Sequence, residues 1–128
     1  MGLCGYRHTH SVLKDGLVHV WDVERLWVLA DALETRLLPI ETISGIDEDS
    51  WFSMENPTLR NVAKHAKKIL EADLDYPIIL NVDGSIMDGA HRVAKALCLG
   101  HDKIKTVQFT VTPDADDICS PASLGLEP

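Results

Sequence analysis

The densest run of chemistry-bearing residues in this 128-residue chain is Asp88-Gly89-Ala90-His91-Arg92, with Lys95 just beyond it. Ser85-Ile86-Met87 reads as a short strand and residues 89–99 as a helix, so the run sits at a strand-to-helix junction. The first amides of a helix have no internal partner, and the helix dipole adds partial positive charge there. Gly89 permits a sharp turn and lets a ligand approach with no Cβ in the way. Arg92 offers a planar fork for phosphate oxygens, and His91 lies in the same turn. Lys95, at i+4 from His91 and i+3 from Arg92, would extend the positive surface. Asp88 would cap the helix, or hold a metal or a ribose hydroxyl. Together these residues predict an anion site on Asp88, Gly89, Ala90, His91, Arg92 and Lys95. Each also has a purely structural reading: Asp88 as a cap, His91 as a hydrogen-bonded structural residue, Arg92 as the partner of a carboxylate such as Glu41.

Two other groups have the right residue types. Arg60, Lys64, Lys67 and Lys68 share one side of a helix, either as a stripe that faces phosphates or nucleic acid or as a solvated face. His8 and His10 have metal-ligand spacing but no evident third ligand, and read as part of a solvated terminal segment.

The elements that must position these residues follow from periodicity and punctuation. Asp22 reads as the N-cap of a helix over about 22–34, with Leu26, Leu29, Ala30 and Leu33 at helical spacing and Trp21 and Trp27 as packing residues. Leu37 to Ile43 reads as a strand carrying Glu41. Asp47-Glu48-Asp49 reads as a surface loop that folds back to pack Trp51 and Phe52. Asn56-Pro57 marks a helix start, and the helix runs over about 57–72. Its expected apolar face is Leu59, Val62, Ala63, Ala66, Ile69 and Leu70. Ile78 to Val82 reads as a strand, Asp83-Gly84 as a two-residue hairpin turn. In the helix over 89–99, Ala90, Val93, Ala94 and Leu97 face inward and Gly100 ends it. Lys105 to Val111 is the final strand. The sum is an α+β fold: a small mixed sheet with helices at about 22–34, 57–72 and 89–99. The domain spans 17–111, between a loose arm (1–16) and an acidic tail (112–128).

Composition is that of an ordinary globular protein, 45% hydrophobic and 25% charged. No apolar run approaches the roughly 20 residues that span a bilayer. The N-terminus lacks the pattern of a signal peptide or myristoylation site. Cys4, Cys98 and Cys119 contain no CxxC and fit a reducing cytoplasm, with Cys98 a small core residue on a helix. The net charge of −8 argues against nonspecific coating of nucleic acid. However, Asp114, Asp116, Asp117 and Glu127 fall in the tail, which leaves room for a basic surface elsewhere.

The run Pro77-Ile78-Ile79-Leu80, then Asp83-Gly84, then Ile86 to Arg92, with Ala94 to Leu97 and Gly100 behind it, resembles the ParB/sulfiredoxin-like superfamily. The resemblance covers residues 36–111 and is strongest over 77–100. It implies a compact α+β domain that binds nucleotide through a DGxHR-type turn. Sulfiredoxins place a nucleophilic cysteine just before the His-Arg pair; Ala90 stands there, so that activity is not expected. Partition ParB proteins bind CTP and add a helix-turn-helix domain, where this chain has an acidic stretch after Val111. Free-amino-acid kinases of the superfamily keep both His and Arg, as here, beside a catalytic glutamate; their preceding His is Ala90 in this chain.

Phosphoryl transfer needs a general base and usually a metal. By position Glu41, with His91, is the candidate for catalysis, and Asp88 would assist Mg2+. A surface or salt-bridging role for Glu41 is the alternative. The expectation is therefore a cytoplasmic nucleotide-phosphate-binding protein (ATP, ADP or CTP with Mg2+), acting as a small phosphotransferase or nucleotide hydrolase. The alternative is a non-enzymatic module that senses nucleotide or grips nucleic acid through Arg60, Lys64, Lys67 and Lys68.

Overall fold

The computed structural model describes residues 8–52 and 55–121. In chain order the elements are β1 (Thr9–Lys14), β2 (Leu17–Asp22), α1 (Val23–Ala30), β3 (Arg36–Pro39), α2 (Leu59–Glu71), β4 (Ile78–Leu80), β5 (Ile86–Asp88), α3 (Ala90–Cys98), β6 (Lys103–Gln108) and β7 (Asp117–Cys119). The fold is α+β, and the chain divides into two compact units, residues 1–32 with 112–128, and residues 33–111.

In the first unit, β2 lies between β1 and β7 in an antiparallel sheet. The loose arm expected over 1–16 is, from Thr9 on, the outer strand of a hairpin. Asp15 and Gly16 make its turn, both in the left-handed region (φ 54° and 79°), as a tight two-residue turn between twisted strands requires. The acidic tail is also structured as far as β7. The Trp21 Nε1–H donates to the Pro113 carbonyl at 2.9 Å, and Asp116 pairs with Arg25 at 2.8 Å while accepting the Asp22 amide. Val18, Val20 and Cys119 form the unit's small core. Cys119 is disulfide-bonded, which corrects the expectation of reduced thiols at that position; Cys98, expected in the core, is a free cysteine on the exposed side of α3; Cys4 and Glu127 lie outside the described residues. Asp22 caps α1 by accepting the Glu24 amide. The helix stops at Ala30, short of the expected 34, where the Asp31 amide closes a tighter turn on the Val28 carbonyl.

The second unit is built on a sheet in the order β3-β6-β4-β5. β6 is parallel to β4 and antiparallel to β3, and α3 makes the crossover from β5 to β6. Ile78, Ile79 and Leu80 of β4 are all fully buried, as expected of a central strand covered on both faces. Ile40, Ile43, Ile78, Leu80, Val93, Ala96 and Ile104 make its core.

Four expectations change here. The strand read over 37–43 ends at Pro39, and Ile40–Thr42 form a 3-10 turn that Thr42 closes by donating to the Pro39 carbonyl. The β4–β5 connection is longer than two residues: a turn closed by the Gly84 amide on the Asn81 carbonyl, with Gly84 at φ 85°. The N-cap of α2 is Thr58, not Asn56, its hydroxyl accepting the Asn61 amide. Finally, α2 does not bury its expected apolar face. Leu59 and Leu70 are 92% and 77% exposed, while His65 is 7% exposed and the only buried residue of the helix. Gly100 does end α3 as read, in the left-handed region, with the His101 amide reaching back to the Ala96 carbonyl. Among the described residues, no helix is long and apolar enough to cross a membrane.

Candidate functional site

The inward turn of His65 is explained by what it meets. His65 Nδ1 lies 2.8 Å from His91 Nε2, in the first turn of α3. On its other side, His65 Nε2 lies 2.8 Å from Glu55 Oε1. The second oxygen of Glu55 pairs with Lys64 at 2.8 Å. The result is a continuous chain, Glu55–His65–His91, running from the segment before α2 to the α3 turn. Trp51 lies flat against both imidazoles, with ring centroids 4.6 and 4.7 Å away, and Phe52 meets His65 edge-on. Asp49 fixes the turn that delivers these two rings, accepting both their amides on Oδ1.

The electrostatics follow from this arrangement. Hydrogen bonds from Lys64 and His65 hold the Glu55 carboxyl below its usual range, so it is ionised at neutral pH. Burial, then the charges of His65 and Lys68, push His91 from 6.5 down to about 4; Arg92 adds to this and Asp88 opposes it. His91 is therefore neutral at pH 7. An ionised Glu55 requires hydrogen on His65 Nε2. With His65 neutral, its bare Nδ1 must accept from His91 Nε2–H, leaving the His91 Nδ1 lone pair unused by that chain.

The remaining predicted residues are only partly brought together. Asp88 ends β5 and pairs with Arg92 at 3.3 Å; it does not cap α3, whose N-cap is Gly89 with no side-chain cap bond. Gly89 takes φ 116°, and a Cβ there would fall 2.5 Å from Ile78 Cγ2. Its lack of a side chain thus serves the turn and the close packing on β4, and the space it frees belongs to Ile78 rather than to a ligand. Ala90 opens α3 and lines an apolar cavity of about 360 Å³, together with Ile46, Trp51, Phe52, Val93 and Leu97. Lys95 turns away from the site: its ammonium donates to the carbonyls of Leu70 (3.0 Å) and Ala72 (2.6 Å) at the end of α2. Glu41 is exposed on the 3-10 turn, and the carboxylate that reaches the histidines is Glu55.

No protein-family model matches the chain. No curated protein matches it either. Among solved structures it is similar to a Pnob8-like ParB-N domain, at 19% identity and a TM-score of 0.40. The match covers 60% of this chain and 30% of that one.

Of the basic stripe on α2, Lys64 is paired with Glu55, and Lys67 stands 3.9 Å from Glu71. Lys68 is the member whose charge acts on His91. Among the described residues, no group of three or more His, Cys, Asp or Glu side chains is arranged to hold a metal ion. Glu55, His65 and Trp51 were missed in the sequence. The available signal was spacing: Asn61, His65 and Ile69 recur every four residues, and they are less exposed than the apolar residues beside them.

Proposed function

We propose that the α3 turn binds the phosphates of a nucleotide, in a ParB/sulfiredoxin-like protein that transfers or hydrolyses a phosphoryl group. The observation that carries this reading is that His91 and Arg92 stand together in the first turn of α3, whose N-cap Gly89 makes no side-chain cap bond. Lys68 of α2 adds positive charge felt at the same ring. That combination suits a multiply charged anion, with the neutral His91 ring offering a hydrogen-bonding nitrogen rather than a charge. Asp88 would supply one carboxylate to a Mg2+ that the phosphates themselves carry, the usual way this ion is bound. The alternative that α2 grips nucleic acid has less support, because Lys64 and Lys67 face acidic partners.

Calorimetry with ATP, ADP and CTP in the presence of Mg2+ tests the reading. Binding by at least one nucleotide is expected, weakened roughly tenfold, about 1.4 kcal/mol, by Lys68→Ala or Arg92→Ala. Absence of binding by all three would sink it.

A further inference from the structure

We infer that Glu55, His65 and His91 form a proton relay that makes His91 Nδ1 the general base toward an oxygen nucleophile, water or an alcohol, at the α3 turn. This rests on the phosphate-binding reading for its acceptor, though the relay itself is carried by geometry. The two hydrogen bonds of the chain are each 2.8 Å. Taken alone, His91 would be a poor base, since burial and the nearby cations disfavour charge on its ring. The relay removes that obstacle by placing the charge elsewhere.

The nucleophile's O–H bond breaks and an N–H bond forms at His91 Nδ1. The hydrogen on His91 Nε2 passes to His65 Nδ1, so His91 ends neutral, protonated on Nδ1. His65 becomes an imidazolium, donating through Nε2 to the Glu55 carboxylate, which stays ionised. The oxygen is left as the nucleophile, and the displaced phosphate takes the proton back when the chain resets. His91 is the catalytic residue; His65 and Glu55 are positioning residues that act through it. Trp51, flat against both rings, holds them nearly coplanar and shields the shared hydrogen bond from water.

Long-range proton–nitrogen NMR on histidine-labelled full-length protein reads the relay without any ligand. At neutral to high pH both rings should carry hydrogen on Nε2. In Glu55→Ala, His65 loses the acceptor that fixes its hydrogen on Nε2, so both rings should show mixed tautomers. An Nδ1–H tautomer on His91 at high pH, or unchanged tautomers in Glu55→Ala, overturns the relay.

With ATP or CTP and Mg2+, phosphate release measures water as nucleophile, and glycerol phosphorylation measures an alcohol. Glu55→Ala should lower kcat at least tenfold with KM changed less than twofold; unchanged kcat overturns the assignment. If the tautomers are as described but no nucleotide binds, the phosphate reading fails and the relay stands.

Discussion

His65 and His91 share one hydrogen bond between parallel-lying rings, 13° apart in plane, so charge on His65 disfavours charge on His91. Lys68 and Arg92 add to this at His91. The stability of the fold therefore depends on the protonation of His91. His91 has its proton affinity lowered from 6.5 to about 4 on folding, so the unfolded chain binds more protons between these values. Stability due to this group is complete above pH 6.5 and is lost as pH falls toward 4. The loss should be on the order of 1 kcal/mol, discounted for the ring's partial exposure. Urea unfolding at pH 7 and pH 4.5 should show this difference in the wild type and a smaller one in His91→Asn.

Because burial is the largest influence on His91, the ring that buries it should control its titration. Trp51→Ala should move the His91 midpoint up from about 4 toward its ordinary 6.5, while Trp51→Phe, which keeps a flat apolar cover, should move it less. An NMR titration of the His91 ring protons measures both. Equal midpoints in all three proteins would show that the stacked indole is not what desolvates the ring.

Gly89 should be among the least replaceable residues. Gly89→Ala adds a Cβ 2.5 Å from Ile78 Cγ2, on a backbone at φ 116°, and should cost about 2–4 kcal/mol in denaturant unfolding. Gly16→Ala, also at positive φ but with nothing within 4 Å, should cost only about 1 kcal/mol. The pair Gly89→Ala with Ile78→Ala should be less destabilised than the sum of its parts, since Ile78 supplies the clashing atoms.

Lys95 separates a local structural role from a binding one. Lys95→Met removes two donors from the carbonyls that end α2, and should destabilise the fold by about 1 kcal/mol while leaving nucleotide affinity unchanged. A tenfold loss of affinity would return Lys95 to the phosphate site.

How much of this was legible in the sequence varies with the kind of signal. The strand–turn–helix order around Asp88 to Arg92 follows from local punctuation, because Gly84, Gly89 and Gly100 each sit where the chain needs positive φ. The Asp15-Gly16 turn carries the same local signal, but the polar surroundings read as an arm; its structure comes from pairing with β2, which lies next in the chain. The orientation of α2 was not legible. Six apolar residues on one side predict burial of that side, yet His65 is the residue buried, because its partner His91 lies 26 positions on in the chain. Glu41 and Glu55 could not be ranked by composition alone. Only the placement of α2 brings one of them to the histidines.

The position of β6 has a consequence for how the chain is made. Arg36 of β3 pairs with Thr106 of β6, and β4 pairs with the same strand from its other side. The strand at the centre of the sheet is thus the last of that sheet to be synthesised. While α2 and α3 are emerging, β3 has no neighbour to bond and the apolar residues of β4 lack one wall of their enclosure. A nascent chain should stay susceptible to proteases and chaperones until Gln108 clears the ribosome, and then acquire resistance abruptly. Truncation just before Lys103 should accordingly abolish folding of residues 33–111 rather than trim one edge from them.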